Sequence, residues 1–216
     1  MPRRRARRRG RPGRRSDARP ESVFLNIPYD SQFENLFLAY ISAIISLGFV
    51  PRATLEVPFS RRRLDRISDL IGNCRYSLHD LSRVQLDRTA PATPRFNMPF
   101  ELGLTVGLYK AKERGRAWAV CEARAHRIQK SLSDLNGTDV YIHGGTIQGV
   151  FRVCREIFVG SKRRPSVQQM MAVYRVLRIG LGPTLHAAGQ DSPFNAPVFR
   201  DLCVMASFAA DRLIGL

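Results

Sequence analysis

Residues 23–48 read VFLNIPYDSQFENLFLAYISAIISLG and contain one complete unit of the pattern that decides the fold. A short apolar run at residues 23–26 ends before Pro28, and a long amphipathic segment at residues 33–47 stops at Gly48. A short run closed by proline is typical of a buried strand, and a long periodic segment closed by glycine is typical of a helix. The stretch therefore predicts one strand followed by one helix.

The same alternation continues to residue 158. The pattern predicts further strands at residues 49–56, 76–81, 117–121 and 140–143, and further helices at residues 61–72, 99–112, 126–135 and 146–158. Each parallel connection needs a helix to return the chain to the same edge of the sheet. The sequence thus predicts an α/β fold with a doubly wound, mostly parallel five-stranded sheet.

Composition divides the chain into three parts. Residues 1–21 hold Arg, Pro and Gly with almost no apolar side chain, which predicts a disordered tail. Residues 22–160 form the α/β domain, and residues 161–216 form a helical extension with helices at residues 166–180 and 199–216. The apolar side chains of residues 202–216 need to be buried, either against the sheet domain or against a second copy of the chain in a homo-oligomer.

The net charge of +17 is concentrated at the start of the chain, because residues 1–20 contain ten arginines and only one acid. Such a tail would contact nucleic acid weakly and non-specifically, but a compositional bias toward arginine is the stronger explanation. No apolar run reaches about 18 residues, which predicts no membrane span and a cytoplasmic protein. The four cysteines stand singly, which favours buried free thiols over disulfide or metal roles.

Polar residues collect in the loops that follow the predicted strands, where open α/β sheets bind ligands. The candidate site residues are Asn26, Pro28, Tyr29, Phe59, Asp80, Ser82, Arg83, Asn97 and Glu101. Glu101 either faces the cleft or caps the first turn of its helix. Asp80 either contacts a ligand or caps the next turn. His79 should point to the opposite face of the sheet, as a structural histidine.

Several catalytic motifs are absent from the sequence. There is no GxGxxG after the first strand, and no GxxxxGK[ST], GxSxG or HExxH. These absences argue against dinucleotide redox chemistry, P-loop phosphoryl transfer, serine hydrolysis and zinc proteolysis. A site in this chain is therefore expected to work with carboxylates, without a metal or a bound cofactor.

Three segments together resemble the signature loops of the TIR-like and nucleoside deoxyribosyltransferase-like superfamily. They are FLNIPYD at residues 24–30, CRYSLHDLS at residues 74–82 and NMPFELGL at residues 97–104. In bacterial TIR-like proteins, the third strand commonly ends in an Asp-Leu-Ser-like turn that precedes an Asn-x-x-x-Glu-Leu-Gly-like helix start. The resemblance covers about residues 22–160 and implies a flavodoxin-like, TIR-like sheet.

The resemblance also implies a function. In that superfamily, the Glu of the Glu-Leu-Gly element acts at the anomeric carbon of an N-ribosyl bond, as covalent nucleophile or as essential carboxylate. Glu101 would take that role, on NAD or a nucleoside derivative. Asp80 would orient the ribose or polarise the base, and Asn97 would bind a ribose hydroxyl. Tyr29 or Phe59 would stack on the base.

Three points stay open in this interpretation. The domain could be a non-catalytic TIR-like module for nucleotide sensing or assembly in a bacterial defence or signalling system. The arginines at 83, 88 and 95 suit a phosphate-bearing ligand such as a dinucleotide, but solvated loop arginines explain them equally well. The run Arg61-Arg62-Arg63 is expected to be a solvated face, or else a contact with an acidic partner or a nucleotide phosphate.

Overall fold

The computed structural model describes residues 21–56, 62–84, 86–87, 93–111 and 115–215. The predictions for residues 1–20, for Arg61, for Phe59 and for Arg88 lie outside the described residues. The strands are β1 (Ser22–Asn26), β2 (Val50–Ala53), β3 (Tyr76–Asp80), β4 (Leu86–Asp87), β5 (Thr93–Pro94), β6 (Ala117–Glu122) and β7 (Val140–Ile142). The helices are α1 (Glu34–Ser46), α2 (Arg63–Asn73), α3 (Asn97–Ala111), α4 (Ile128–Ser131), α5 (Ile147–Ile157), α6 (Val167–Ala187) and α7 (Ala196–Ile214).

Five of these strands form one parallel sheet in the order β2-β1-β3-β6-β7, and β4 pairs with β5 in a separate antiparallel hairpin. Strand β1 lies between β2 and β3, so the chain adds β2 on one side of β1 and the later strands on the other side. This arrangement confirms the predicted doubly wound α/β sheet, with the strand order found in flavodoxin-like folds. The strand order reverses between β1 and β3, which is where such sheets open a crevice at the carboxyl ends of the strands.

Strand β1 is buried on both faces, as expected for a central parallel strand covered by helices. Successive side chains of β1 point to opposite faces and pack in two separate hydrophobic cores. Val23 and Leu25 pack with α1, whereas Phe24 points to the other face and packs with Ile67 and Ile71 of α2. The strand therefore joins the two helical layers of the fold.

Helix α1 is buried on every side from its third residue onward, because it lies between the sheet and the C-terminal helices. All its residues from Leu36 to Ser46 are buried. One hydrophobic core contains Leu25 of β1, Ile41 of α1, Leu177 of α6 and Leu202 of α7. The helical extension therefore covers the sheet domain of its own chain, which is one of the two arrangements that the sequence left open.

Some element boundaries differ from the prediction. Residues 54–56 form a 3₁₀ turn instead of continuing β2, and the predicted helix at residues 126–135 is α4 followed by a second short turn. Helix α6 runs past Gly180 to Ala187, although glycine and Pro183 favour an earlier end. A Cβ at Gly180 would lie 2.5 Å from the sulfur of Met205, so this glycine permits close packing of α6 against α7.

Three of the four cysteines, Cys74, Cys121 and Cys154, are buried free thiols, as predicted, and Cys203 is half-buried. Burial raises the pKa of the Cys74 thiol to about 11, so this thiol stays protonated near neutral pH. Within the described ranges, no group of three or more metal-ligating side chains is found, and no helix is long and apolar enough to cross a membrane.

Candidate active site

A cavity of about 530 Å³ lies between the carboxyl ends of β1 and β2 and the first two turns of α3. Its lining comes from the loop after β1, the turn after β2, the first residue of α2, strand β5 and the start of α3. The lining residues are Asn26, Ile27, Pro28, Tyr29, Thr54, Arg63, Thr93, Pro94, Arg95, Phe96, Asn97, Met98 and Glu101. The cavity thus opens at the sheet edge where the sequence predicts a ligand site.

Glu101 lies in the second turn of α3, because the helix begins at Asn97 and not at residue 99. It is therefore too far along the helix to cap it. The residue is only 9% exposed, and none of the described residues donates a hydrogen bond to its carboxyl group. Burial raises the pKa of Glu101 to about 7, and the positive charge of Arg63 partly opposes that shift. The structure thus favours the cleft-facing interpretation over the cap.

Asn26 connects the cavity wall to the sheet. Its amide nitrogen donates to Nδ1 of His79 and to the carbonyl oxygen of Met98, both at 2.8 Å. Desolvation lowers the pKa of His79 to about 3, so the ring is neutral. Because Nδ1 accepts, the proton lies on Nε2, which is 2.6 Å from the hydroxyl of Ser77. His79 is a structural histidine, as predicted, and the chain of bonds ties the first turn of α3 to β1 and β3.

Tyr29 lines the cavity and is supported by the C-terminal extension. Its ring lies 6.2 Å from that of Phe37 and 6.0 Å from that of Phe194, which precedes α7. Thr54 at the end of β2 donates to its hydroxyl at 3.4 Å. Burial is the main cause that raises the pKa of Tyr29, and the nearby Glu101 carboxyl adds to it. The phenol therefore stays protonated at physiological pH.

The arginines predicted around the site differ in position. Arg95 lines the cavity and donates to Oδ2 of Asp30 at 2.9 Å. Arg83 donates to the same oxygen at 3.2 Å and to Gln32 at 2.7 Å, but it does not belong to the cavity lining. Arg63 does line the cavity, although the sequence favours a solvated face for the run that contains it. Among the described residues, Arg63 and Arg95 thus bring two cations to the cavity wall.

Asp80 lies outside the cavity lining, in a buried network of its own. Its Oδ2 accepts from the hydroxyl of Tyr40 at 2.7 Å and lies 3.0 Å from Nε2 of His143. Its Oδ1 accepts from the backbone N–H of Ser82 at 2.8 Å, which is the turn cap that the sequence offered as an alternative. Asp80 and Ser82 are both buried and are not brought together with Glu101.

The proximity of Ser82, His143 and Asp80 does not make a serine nucleophile. Nδ1 of His143 accepts from the backbone N–H of Gly145 at 3.1 Å, so Nε2 carries the proton. Both the Ser82 hydroxyl and the Asp80 carboxyl contact that same nitrogen, each at 3.0 Å. A proton relay needs the serine and the carboxylate on opposite ring nitrogens. The cluster therefore lacks the arrangement of a Ser-His-Asp relay, and its contacts connect the loops after β3 and β7.

The sequence does not predict six of the residues that line the cavity, nor Phe194 behind it; the six are Ile27, Thr54, Thr93, Pro94, Phe96 and Met98. Phe96 is 65% exposed on the cavity wall and directly precedes α3, so a bulky aromatic before a helix start was an available signal. Phe194 had no such signal, since it is far from Tyr29 in the sequence and contacts it only in the folded chain.

No protein-family model matches the chain, and no curated protein matches it in sequence.

Proposed function

We propose that this chain cleaves or transfers the N-glycosidic bond of a nucleotide or nucleoside derivative such as NAD, with Glu101 as the reacting carboxylate. The observation that carries the proposal is the Glu101 carboxyl group itself. It is buried, lines a cavity large enough for a small ligand, and has no hydrogen-bond donor among the described residues. A buried carboxyl group without a hydrogen-bond donor lowers the stability of the fold when it is ionised. Groups with pKa values shifted in this way are concentrated at functional sites.

The chemistry follows from the charge that develops in the reaction. When the C–N bond to the base breaks, the bonding electron pair leaves with the base and the anomeric carbon gains oxocarbenium character. The ionised Glu101 carboxylate stabilises that cation or attacks it to form a glycosyl ester. Water or a second acceptor then displaces the carboxylate and regenerates the enzyme. No hydrogen bond from the described residues has to be broken before the carboxylate attacks, because none holds it.

The remaining cavity residues supply contacts of the right kind for such a ligand. The amide of Asn97 at the start of α3 suits a ribose hydroxyl, and the exposed ring of Phe96 suits a base. The guanidinium groups of Arg63 and Arg95 suit phosphate. These contacts favour a phosphate-bearing substrate over a bare nucleoside.

The test is the release of free base from a substrate panel. Wild-type protein, Glu101→Gln and the exposed-helix control Glu156→Gln would be incubated with NAD, nucleosides and nucleotides, followed by chromatography. We expect release by the wild type and by the control, and a loss of at least about a thousandfold in Glu101→Gln, as for removal of other nucleophiles.

Two results would refute the proposal. The first is a folded wild type that releases no base from any member of the panel. The second is full release by Glu101→Gln, which would assign the chemistry to another group. Equal nucleotide binding by wild type and Glu101→Gln, without turnover by either, would instead favour the sensing or assembly module.

A further inference from the structure

Helix α7 carries two exposed apolar side chains on its outer face. Val204 is 54% exposed and Phe208 is 73% exposed. Both line an apolar groove of about 320 Å³ between α7 and the edge strand β2, together with Ile45, Phe49, Val50, Pro51, Cys203, Ser207 and Asp211. Exposed apolar side chains that lie together beside a groove are a feature of interaction surfaces.

The charges on either side of these two residues form a symmetric pattern. In order along α7 the outer face reads Arg200, Asp201, Val204, Phe208, Asp211 and Arg212. All four charged residues are exposed, and their spacing places them on one face of the helix with the two apolar residues. The pattern is the same in both directions about Ala206, with a basic, an acidic and an apolar residue at matching distances.

We propose that this face of α7 binds α7 of a second copy of the chain, antiparallel, with the two-fold axis at the level of Ala206. A two-fold rotation brings each flank of the helix against the same flank of its copy. Asp201 then faces Arg212 of the second copy. On the other flank, Asp211 faces Arg200 of the second copy. The antiparallel arrangement therefore sets opposite charges together at both ends of the contact.

The apolar residues fit the same arrangement. Val204 faces Phe208 of the second copy, and the groove beside α7 offers space for that ring. Asp211 already binds Arg163 through Oδ1 at 2.7 Å, but its side chain is more than half exposed, which leaves Oδ2 available. Strand addition to β2 is disfavoured, because Pro51 has no N–H to donate.

Residues 1–20 do not supply an alternative occupant. They join the described chain at Glu21, whose carbonyl oxygen accepts from the backbone N–H of Val50 at the rim of the groove. They contain ten arginines, and outside their prolines only Met1, Ala6 and Ala18 are apolar. A second copy provides the large apolar side chain that this segment lacks.

The first experiment measures the dimerisation constant of the full chain by sedimentation over a concentration series. We expect a wild-type dimer, and a dissociation constant at least about tenfold higher for Phe208→Asp. The control is Phe100→Asp, which changes another exposed phenylalanine, on α3 across the sheet, and should dimerise as the wild type does. A wild type that stays monomeric at every concentration, or a Phe208→Asp variant that dimerises normally, would overturn the proposal.

The second experiment uses the charges. Asp201→Arg sets two guanidinium groups against each other at each end, and Arg212→Asp sets two carboxylates there, so each variant alone should dimerise at least about tenfold more weakly. Mixing the two variants restores every opposite-charge pair, and we expect a heterodimer of wild-type strength. Recovery on mixing also shows that both variants are folded. Failure to recover would contradict the antiparallel register.

Discussion

Asp80 and Glu101 are both buried carboxyl groups near the carboxyl end of the sheet, yet their surroundings are opposite. Asp80 has three donors around its two oxygens, from Tyr40, Ser82 and His143. Glu101 has none among the described residues and borders a cavity. The difference teaches that burial alone does not identify a reactive carboxylate. A satisfied carboxyl group holds the fold together, whereas an unsatisfied one beside a cavity is available to a ligand.

The largest effect on stability is expected for Asp80. Asp80→Asn keeps the shape but places amide hydrogens against the donors of Tyr40 and His143. Leaving buried donors without an acceptor should lower the free energy of unfolding by about 3 kcal/mol. Urea denaturation at pH 7 measures it. A loss below about 1 kcal/mol would show that Asp80 is no better partnered than Glu101, and the comparison would fail.

Glu101→Gln should change the free energy of unfolding in the opposite direction, and stabilise the chain at neutral to basic pH. Folding raises the pKa of Glu101 from 4.5 to about 7, so the folded chain holds this proton more tightly than the unfolded chain. The contribution to stability is complete below pH 4.5 and is lost as the pH rises through about 7. At pH 8 the variant should therefore be more stable than the wild type by up to about 3 kcal/mol.

The measurement for this prediction is a set of denaturation curves for wild type and Glu101→Gln at pH 4.5 and pH 8. The gap in unfolding free energy should be wide at pH 8 and close at pH 4.5. A variant less stable than the wild type at pH 8 would mean that the Glu101 carboxylate has a partner that stabilises its charge. That result would place Glu101 with Asp80 among the structural carboxyl groups.

The sequence predicts Glu101 and Asp80 as one site, whereas the cavity is lined by Glu101 and not by Asp80, and the reason for this difference is physical. The order of strands and helices follows from local periodicity, so the sheet and the loops at its carboxyl edge could be predicted. The partners of Asp80 could not, since Tyr40 and His143 lie 40 residues before it and 63 residues after it in the sequence. Long-range packing decides whether a buried carboxyl group has hydrogen-bond donors, and a local sequence pattern does not predict those contacts.

The start of α3 is a second, smaller case in which a long-range contact decides what the local sequence pattern does not predict. Pro99 is a favourable residue within the first helical turn, so the sequence places the helix start there. The structure begins the helix at Asn97, with the carbonyl oxygen of Met98 held by Asn26 of β1. Two residues of difference move Glu101 from the capping turn to the second turn. The sheet edge at which the cavity opens was thus predictable, whereas the position of Glu101 within the helix depends on a tertiary contact.

The smallest expected effect concerns His79, which holds Asn26 at the cavity wall. Folding lowers the pKa of His79 from 6.5 to about 3, so below pH 6.5 the unfolded chain binds a proton that the folded chain does not. Stability from this group is lost as the pH falls, by about 2 kcal/mol at pH 5. His79→Gln keeps an acceptor for Asn26 and a donor for Ser77 but cannot titrate, so its stability relative to the wild type should increase by that amount between pH 7 and pH 5.

Between pH 4.5 and pH 6.5 the Glu101 and His79 effects oppose each other, because acid favours the folded state through one group and the unfolded state through the other. The wild type should therefore show a shallow dependence of stability on pH in this range, which each single variant makes steeper in opposite directions. Denaturation curves at pH 7, 6 and 5 measure the slopes. Parallel curves for wild type and His79→Gln would mean that His79 gains a proton in the folded chain, and its neutral bond to Asn26 would then be wrong.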